Sequence, residues 1–565
     1  MMEAQAAGNE AASDGREHRP EAEPTLRRCL WLLGLGWCAA TALAVLSRSC
    51  VGDVWDDSFI FARYADNVLS EGRLVWNPGG EPTYGLTAPL TLILHVPLRF
   101  LIRSNPALSL FVQSLLSSVL FLALLAVLVW RHVTGDPLGR RGLLVFVFFM
   151  LAVAMPHMHI HFVSGMDTMF ALAYLTAYIL LAKGCERSPS AGRAVCVGLW
   201  GGLAYFARPD LMLYSAAVPI AMAILGPGAA RRRLALLIGA VSLAVLGAEM
   251  ALARLYFGTP LPLPFYAKTL NIYCGHLRQF YGPVPLREFS SFVLNYWFLI
   301  ALAAAGLVAR RRALPAVDCG LAAATVLFVA YYLGWAVQIM GFASRFYYPT
   351  VPALVFLAAQ GVAALARAAA PSIRVRIAAV PRALYWFAAL LLLYALVPGV
   401  RPSLQKIREE AKRGRICCFN IQAEYDRWYS GYWFCLDKFS ALPDDLVLAT
   451  TEVGLPAAMS PRRPIICLSG LNERAFALKG FSAERLFQEY RPALIYLPHC
   501  SFKAIADAIL ADPFFRERYE LFTAERLTAA SGLKVEMGVA LRRDSRHYPA
   551  MRKILLDAAP GGAGS

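Results

Sequence analysis

Residues 107–131 read ALSLFVQSLLSSVLFLALLAVLVWR, and no residue before Arg131 carries a formal charge. As a helix, such a stretch rises about 1.5 Å per residue and crosses a hydrocarbon core of about 30 Å. It reads as a transmembrane helix stopped by a cation at one membrane face. Working outward, further apolar runs lie near 29–48, 142–156, 167–182, 194–207, 211–226, 233–255, 289–308, 319–340, 347–366 and 383–400, about eleven in all. The chain is 58% hydrophobic and 16% charged over 565 residues, with mean hydropathy +0.50. That is more apolar surface than one soluble core uses, so a polytopic α-helical membrane protein is the expected class.

The charge of +17 does not point to nucleic acid. The cations fall in short clusters between apolar runs, not on one continuous basic face. With the N-terminus inside, the inside loops collect Arg27 and Arg28; Arg131, Arg140 and Arg141; Lys183 and Arg187; Arg231 to Arg233; Arg310 to Arg312; and Arg367 through Arg382. This positive-inside pattern holds only if Thr87–Ile102 does not span. Pro89, Pro97, His95 and Arg99 suit that stretch to a helix lying along the outer interface. The expected organisation is a disordered cytoplasmic leader over 1–28, a membrane domain over 29–400 with its first outer loop at 49–106, and an extracytoplasmic tail over 401–565.

In this topology the polar residues of distant loops arrive at one outer surface: Asp53, Asp56 and Asp57; His157, His159, His161 and Asp167; Arg208 and Asp210; Tyr266 and Lys268; Arg345 with Tyr347 beside it. Charged groups at a membrane boundary are costly unless solvated, paired or used. A cavity holding acids and bases suits a phosphate-bearing lipid and a sugar. A helix beginning near Trp55 and ending near Gly72 would carry Asp56, Ile60, Arg63 and Asn67 on one face. Either acid could cap that helix. With two adjacent carboxylates, one can cap while the other serves as a general base or holds a divalent cation. His157, His159 and His161 would share one side of an extended segment, where they could bind a metal or hydrogen-bond to a phosphate or sugar. For Arg208, Lys268 and Arg345, phosphate binding competes with snorkelling, and for Arg208 also with pairing to Asp210.

The paired Asp56 and Asp57, the run Arg63-Tyr64-Ala65-Asp66-Asn67, then Trp76-Asn77-Pro78-Gly79-Gly80-Glu81 and Thr87-Ala88-Pro89-Leu90 form an ordered set. Ser164-Gly165-Met166-Asp167-Thr168, Arg208-Pro209-Asp210, Phe265-Tyr266-Ala267-Lys268, Arg345-Phe346, Glu452-Val453-Gly454 and Pro464 to Asn472 continue it. Together they resemble the GT-C superfamily of polyprenyl-phosphate-sugar-dependent glycosyltransferases, nearest the branch of the mycobacterial terminal arabinofuranosyltransferase. Asp167 stands where that branch has Glu, and Cys467 where it has Asp. The resemblance implies inverting transfer of a sugar, arabinofuranose or another pentose, else a hexose such as mannose. The donor would be a polyprenyl phosphate and the acceptor an extracytoplasmic glycan, lipid or protein. It further implies a first-loop Asp as base, a tail that engages the acceptor, and the inner (plasma) membrane of a bacterium. A transporter or flippase of a lipid-linked sugar is the alternative; it predicts ionisable residues near mid-membrane, whereas these acids gather at one face.

In the tail, strands are expected at Leu446–Thr450, Pro464–Leu468, Ala493–Leu497 and Val535–Arg542, with helices at Ser482–Tyr490 and Phe502–Ala511, giving a small α/β domain. Its five cysteines, Cys417, Cys418, Cys435, Cys467 and Cys500, have no metal-binding spacing, and their pairing stays open. Tyr425, Trp428, Tyr429, Tyr432 and Trp433 would form an interfacial aromatic belt or a sugar-stacking surface.

Overall fold

A computed structural model describes residues 54–133, 155–269, 282–336, 338, 342–377, 404–405, 408, 412, 442–498, 500–531 and 538–557. The leader, the runs at 29–48 and 383–400, nearly all of 142–156, Asp53 and the aromatic cluster at 425–433 lie outside these residues. Five described helices are long and apolar enough to cross a membrane: Pro106–His132, Thr168–Arg187, Ala229–Phe257, Val284–Ala309 and Ala316–Gly334. Met212–Leu225 and Ala191–Gly202 are shorter, and Val351–Ile377 continues the bundle. Thr168–Arg187 is mostly buried and central, whereas Ala229–Phe257 is mostly exposed, as expected of a helix facing lipid.

Small residues set the tightest helix crossing. A Cβ on Gly361, in Val351–Ile377, would lie 2.2 Å from the Leu302 carbonyl oxygen of Val284–Ala309, and one on Gly306 would lie 2.3 Å from the Gly361 Cα. Backbone meets backbone there, so neither helix can yield locally; such approaches are how apolar helices associate where lipid removes the hydrophobic drive. Gly361→Leu is expected to lower stability by about 1–3 kcal/mol, the range for overpacking a close contact. Thermal unfolding of the full chain in nanodiscs checks it, and an unchanged midpoint would show that the crossing is looser.

The Thr87–Ile102 stretch forms a short helix, Leu92–Leu101, that buries His95 and Arg99 and exposes Ile93, Phe100 and Leu101. Arg99 holds Asp66 of helix Ser58–Glu71 with two bonds, Nε to Oδ1 at 2.9 Å and Nη2 to Oδ2 at 3.0 Å. An apolar outer face with a polar inner anchor suits a helix lying along an interface.

The tail contains a five-stranded sheet in the order β2-β1-β3-β5-β4, formed by β1 (Leu448–Thr450), β2 (Ile465–Cys467), β3 (Leu494–Tyr496), β4 (Tyr519–Phe522) and β5 (Val539–Arg542). β1 runs parallel to β2 and β3; β5 runs antiparallel to β3 and β4. The four strands expected from sequence are present, and β4 is an addition, its YELF pattern too polar to stand out. The edge at β2 is covered by the loop that follows helix Ser58–Glu71. Asn77 Oδ1 accepts from the Ile465 amide at 2.8 Å, and its Nδ2 donates to the Ile465 carbonyl at 3.2 Å, as a neighbouring strand would. Trp76, buried, donates its indole N–H to the same carbonyl at 2.8 Å. The Trp76-Asn77 dipeptide thus satisfies an edge whose polar groups would otherwise be left open.

Candidate active site at the loop surface

Helix Ser58–Glu71 is stopped by Gly72 at φ 68°, in the left-handed cap that glycine favours. Asp57 occupies its N-cap position, yet its carboxylate makes no capping bond. It turns to Arg345 instead, with Oδ2 3.6 Å from Nη2. Asp56 does cap a helix, but one about 400 positions away: its Oδ1 accepts from the Leu455 amide at 2.8 Å, in the first turn of tail helix Gly454–Met459. The adjacent acids divide as one capping and one cavity-facing carboxylate, though the capped helix belongs to the tail.

A cavity of about 250 Å³ lies beside this pair, lined by Asp57, Asp167, Asp210, Arg208, Lys268 and Arg345, together with Tyr205, Phe265, Tyr332 and Trp335. Three carboxylates face three cations there, contributed by five separate stretches of chain. Each is positioned by local structure. The Trp55 amide donates to the Ser164 carbonyl at 2.9 Å, and Gly165, at φ 74°, has only 2.8 Å between a would-be Cβ and Ser58 Oγ, which brings Asp167 alongside Asp57. Arg208 Nε is 2.9 Å from Asp210 Oδ2, which also accepts from the Tyr332 hydroxyl.

Arg345 follows two non-glycine residues in the left-handed region, Ala343 at φ 53° and Ser344 at φ 56°. Such a conformation persists only when surroundings enforce it. Glu288 does so, accepting from the Ser344 amide at 3.0 Å while its own carbonyl accepts from Ser344 Oγ at 2.9 Å. His161 Nε2 lies 3.1 Å from the Ala343 carbonyl, and its ring packs against Tyr348 with centroids 4.2 Å apart. Nothing in the sequence marked Glu288, which sits beside Arg287 just before the apolar run at 289–308.

Several expected site residues do other work. Arg63 is buried outside the cavity and ties loop to tail, donating Nε to the Trp76 carbonyl at 2.6 Å and Nη2 to the Arg463 carbonyl at 2.8 Å. Tyr347 is a core residue whose hydroxyl donates to the Pro285 carbonyl at 2.9 Å and accepts from Gln338 Nε2. Tyr266 packs against the tail cluster around Phe476 and Ile495, while its neighbours Phe265 and Lys268 line the cavity. The histidine segment is a helix, Met155–Val163, not an extended strand. The alternation expected of an extended segment therefore does not apply to the three histidines. The side chains of His157 and His159 lie outside the described residues, and no group of three or more ligating side chains fit for a metal occurs among those described.

No family model and no curated protein matches the sequence. The solved structures that match along most of the chain include two of ArnT from Cupriavidus metallidurans. The one bound to undecaprenyl phosphate shares 13% identity, with a TM-score of 0.50 over 91% of this chain and 98% of ArnT. The apo form gives the same identity and score over 92% and 98%. The chain has an ArnT-like fold. Within that ArnT-like architecture, a third carboxylate joins the acid pair from the tail. Burial, and then the charges of Asp56 and Asp57, push Glu452 up to about 8. Burial and the neighbouring Asp57 raise Asp56 to about 7, with the Leu455 and Gly454 amides opposing. Lys268 is lowered to about 8 by burial and by Arg345. Glu452 was legible as part of Glu452-Val453-Gly454, but nothing in that motif told of a partner in the first loop.

Carboxyls held high bind protons more readily in the folded chain than in the unfolded one. Their contribution to stability is full below the unfolded values near 3.8 and 4.5 and is lost as pH rises through about 7 to 8. Stability is therefore expected to fall by on the order of 1–2 kcal/mol between about pH 5 and pH 7.5. Glu452→Gln should flatten that slope and stabilise the protein at the upper end. Unfolding midpoints across pH for both proteins decide it, and parallel curves would remove Glu452 from the acid cluster.

Proposed function

We propose that the chain is a membrane glycosyltransferase that takes a sugar from a polyprenyl-phosphate donor, with Asp57 as general base. The observation that carries this reading is a single cavity in which Asp57, 3.6 Å from Arg345, faces Arg208 and Lys268. The acceptor hydroxyl attacks the anomeric carbon and gives its proton to Asp57 as the bond from sugar to phosphate oxygen breaks. Polyprenyl phosphate leaves, and Arg345, Arg208 and Lys268 meet its growing charge. The cavity has room for a sugar phosphate, while Phe265 and Trp335, both on its wall and exposed, offer an apolar exit for the polyprenyl tail.

The ArnT-like fold supports this reading, because ArnT was solved with undecaprenyl phosphate bound. The motif order favours a pentose, arabinofuranose first, and inversion at the anomeric carbon. The sheet domain against the first outer loop is the proposed acceptor-facing part, and the arginine-rich loops its opposite, cytoplasmic face. Asp56 is assigned as a positioning residue, since one of its oxygens is engaged by the tail. The test is full-length protein in nanodiscs offered short-chain polyprenyl-phosphate sugars and an envelope extract as acceptor, with released polyprenyl phosphate measured. Release from a pentose donor establishes the reading; release from a hexose donor alone corrects the sugar. No release from any donor, with donor crossing the bilayer instead, would make the protein a flippase.

A further inference from the structure

A second cavity in the described residues lies away from the candidate active site. It measures about 650 Å³ and is lined by Lys183, Glu186, Arg187, Arg231 and His132, with apolar walls that include Leu225 and Leu234. Three helices place it at the opposite end of the bundle. Thr168–Arg187 has Asp167 in the active-site cavity at its start and Lys183 and Arg187 in this one at its end. Met212–Leu225 follows Asp210 of the first cavity and delivers Met222 and Leu225 to the second, while Ala316–Gly334 runs the other way, from Ala316 here to Tyr331 and Tyr332 there. A helix of 20 residues separates the two ends by about 30 Å, one hydrocarbon thickness. The second cavity therefore sits at the other membrane face, the one that carries the arginine clusters.

Its charges are unevenly satisfied. Lys183 Nζ pairs with Glu186 and with Asp318, at 2.9 Å from the latter, and Arg310 Nη1 closes the group at 2.8 Å from the other oxygen of Asp318. Those two cations and two anions balance. Arg187 spends one nitrogen on the Arg131 carbonyl at 3.1 Å, and Arg231 forms no ion pair among the described residues. The cavity thus presents two guanidinium groups beyond its own neutral network. Its rim is apolar at one point that opens outward: Leu225, the last residue of Met212–Leu225, lines the cavity and is 54% exposed.

We propose that this cavity binds the phosphate of an anionic phospholipid, whose acyl chains leave past the exposed Leu225. Two arginines recognise the phosphate oxygens, and the balanced network of Lys183, Glu186, Arg310 and Asp318 holds the helix ends apart so that the headgroup enters. A free phosphate compound would satisfy the arginines equally but would gain nothing from the apolar opening at Leu225.

The test uses full-length protein, delipidated in detergent and titrated in native mass spectrometry with dioleoylphosphatidylglycerol, dioleoylphosphatidylcholine and inorganic phosphate. Phosphatidylglycerol is expected to bind about tenfold more tightly than phosphatidylcholine, the size of effect that two arginines near a headgroup supply. The double variant Arg187→Gln, Arg231→Gln should lose that preference, and Arg232→Gln with Arg233→Gln, outside the cavity, should keep it. If the first double variant does not fold, Arg231→Gln alone replaces it and should lose a smaller part of the preference. Equal binding of both lipids by the wild type, or an undiminished preference in the cavity variant, overturns the proposal. Displacement of phosphatidylglycerol by millimolar inorganic phosphate assigns the cavity to a soluble phosphate compound and overturns it as well.

Discussion

Asp57→Asn is expected to lower the rate of sugar transfer by about 10²–10⁴-fold, the range that a positioned general base contributes, while donor binding and the unfolding midpoint stay near those of the wild type. The reason is placement. Asp57 lines the cavity and its side chain retains 29% exposure, so an incoming hydroxyl can reach it, and its helix does not depend on it for a cap. The amide of Asn keeps the volume but cannot take the proton. Asp56→Asn should behave differently. Asp56 is buried and its Oδ1 accepts from the Leu455 amide, so Asn can preserve that bond through its own oxygen. The expected result is a modest loss of rate with a change in how firmly the tail is docked. Single-turnover rates with donor pre-bound, measured alongside donor affinity, separate the two. Equal large losses in both variants would mean that the acids act as a unit, and no loss in Asp57→Asn would remove it from the chemistry.

Gly454→Val is expected to have the second large effect, on architecture first and activity as a result. A Cβ at Gly454 would lie 1.9 Å from the Asp56 carbonyl oxygen and 2.6 Å from its carbonyl carbon. Both are backbone, so relief requires the tail helix to back away from the acid pair. Overpacking of this kind costs about 1–3 kcal/mol, and here it also removes the Leu455 amide from Asp56. The tail should become sensitive to limited proteolysis, and transfer should fall with it. Gly239→Ala, with nothing within 4 Å of the added Cβ, is the matched control and should leave both unchanged. A Gly454→Val protein with a protected tail and full activity would show that tail contact is not needed to hold Asp56.

These two expectations rest on different kinds of knowledge. The sequence by itself determined that the chain lives in a membrane, because uncharged runs such as 107–130 have a length that only a bilayer uses. It also placed Asp57, Asp167, Arg208, Asp210, Lys268 and Arg345 on one face, but in a wider set with Asp56 and Tyr266, which do not line the cavity. The strands of the tail were legible from short β-branched and aliphatic runs, apart from Tyr519–Phe522, whose half-buried edge position leaves a mixed pattern.

The tertiary structure decided what each converging residue does. Sequence spacing gives Asp56 and Arg63 the same credentials as Asp57, but the first caps a helix far along the chain and the second clamps helix Ser58–Glu71 to the Arg463 carbonyl. Glu288 and His161 are site-forming residues through hydrogen bonds to the Ala343–Ser344 backbone, and backbone partners leave no mark in a side-chain pattern. Helical periodicity is written in local sequence, whereas the pairing of a carboxylate with an amide or guanidinium from another loop depends on how separate helices pack. Residue type and spacing therefore fixed the bilayer and the gathering of these polar groups at one end of the bundle; only packing chose which acid faces the cavity and which holds the tail.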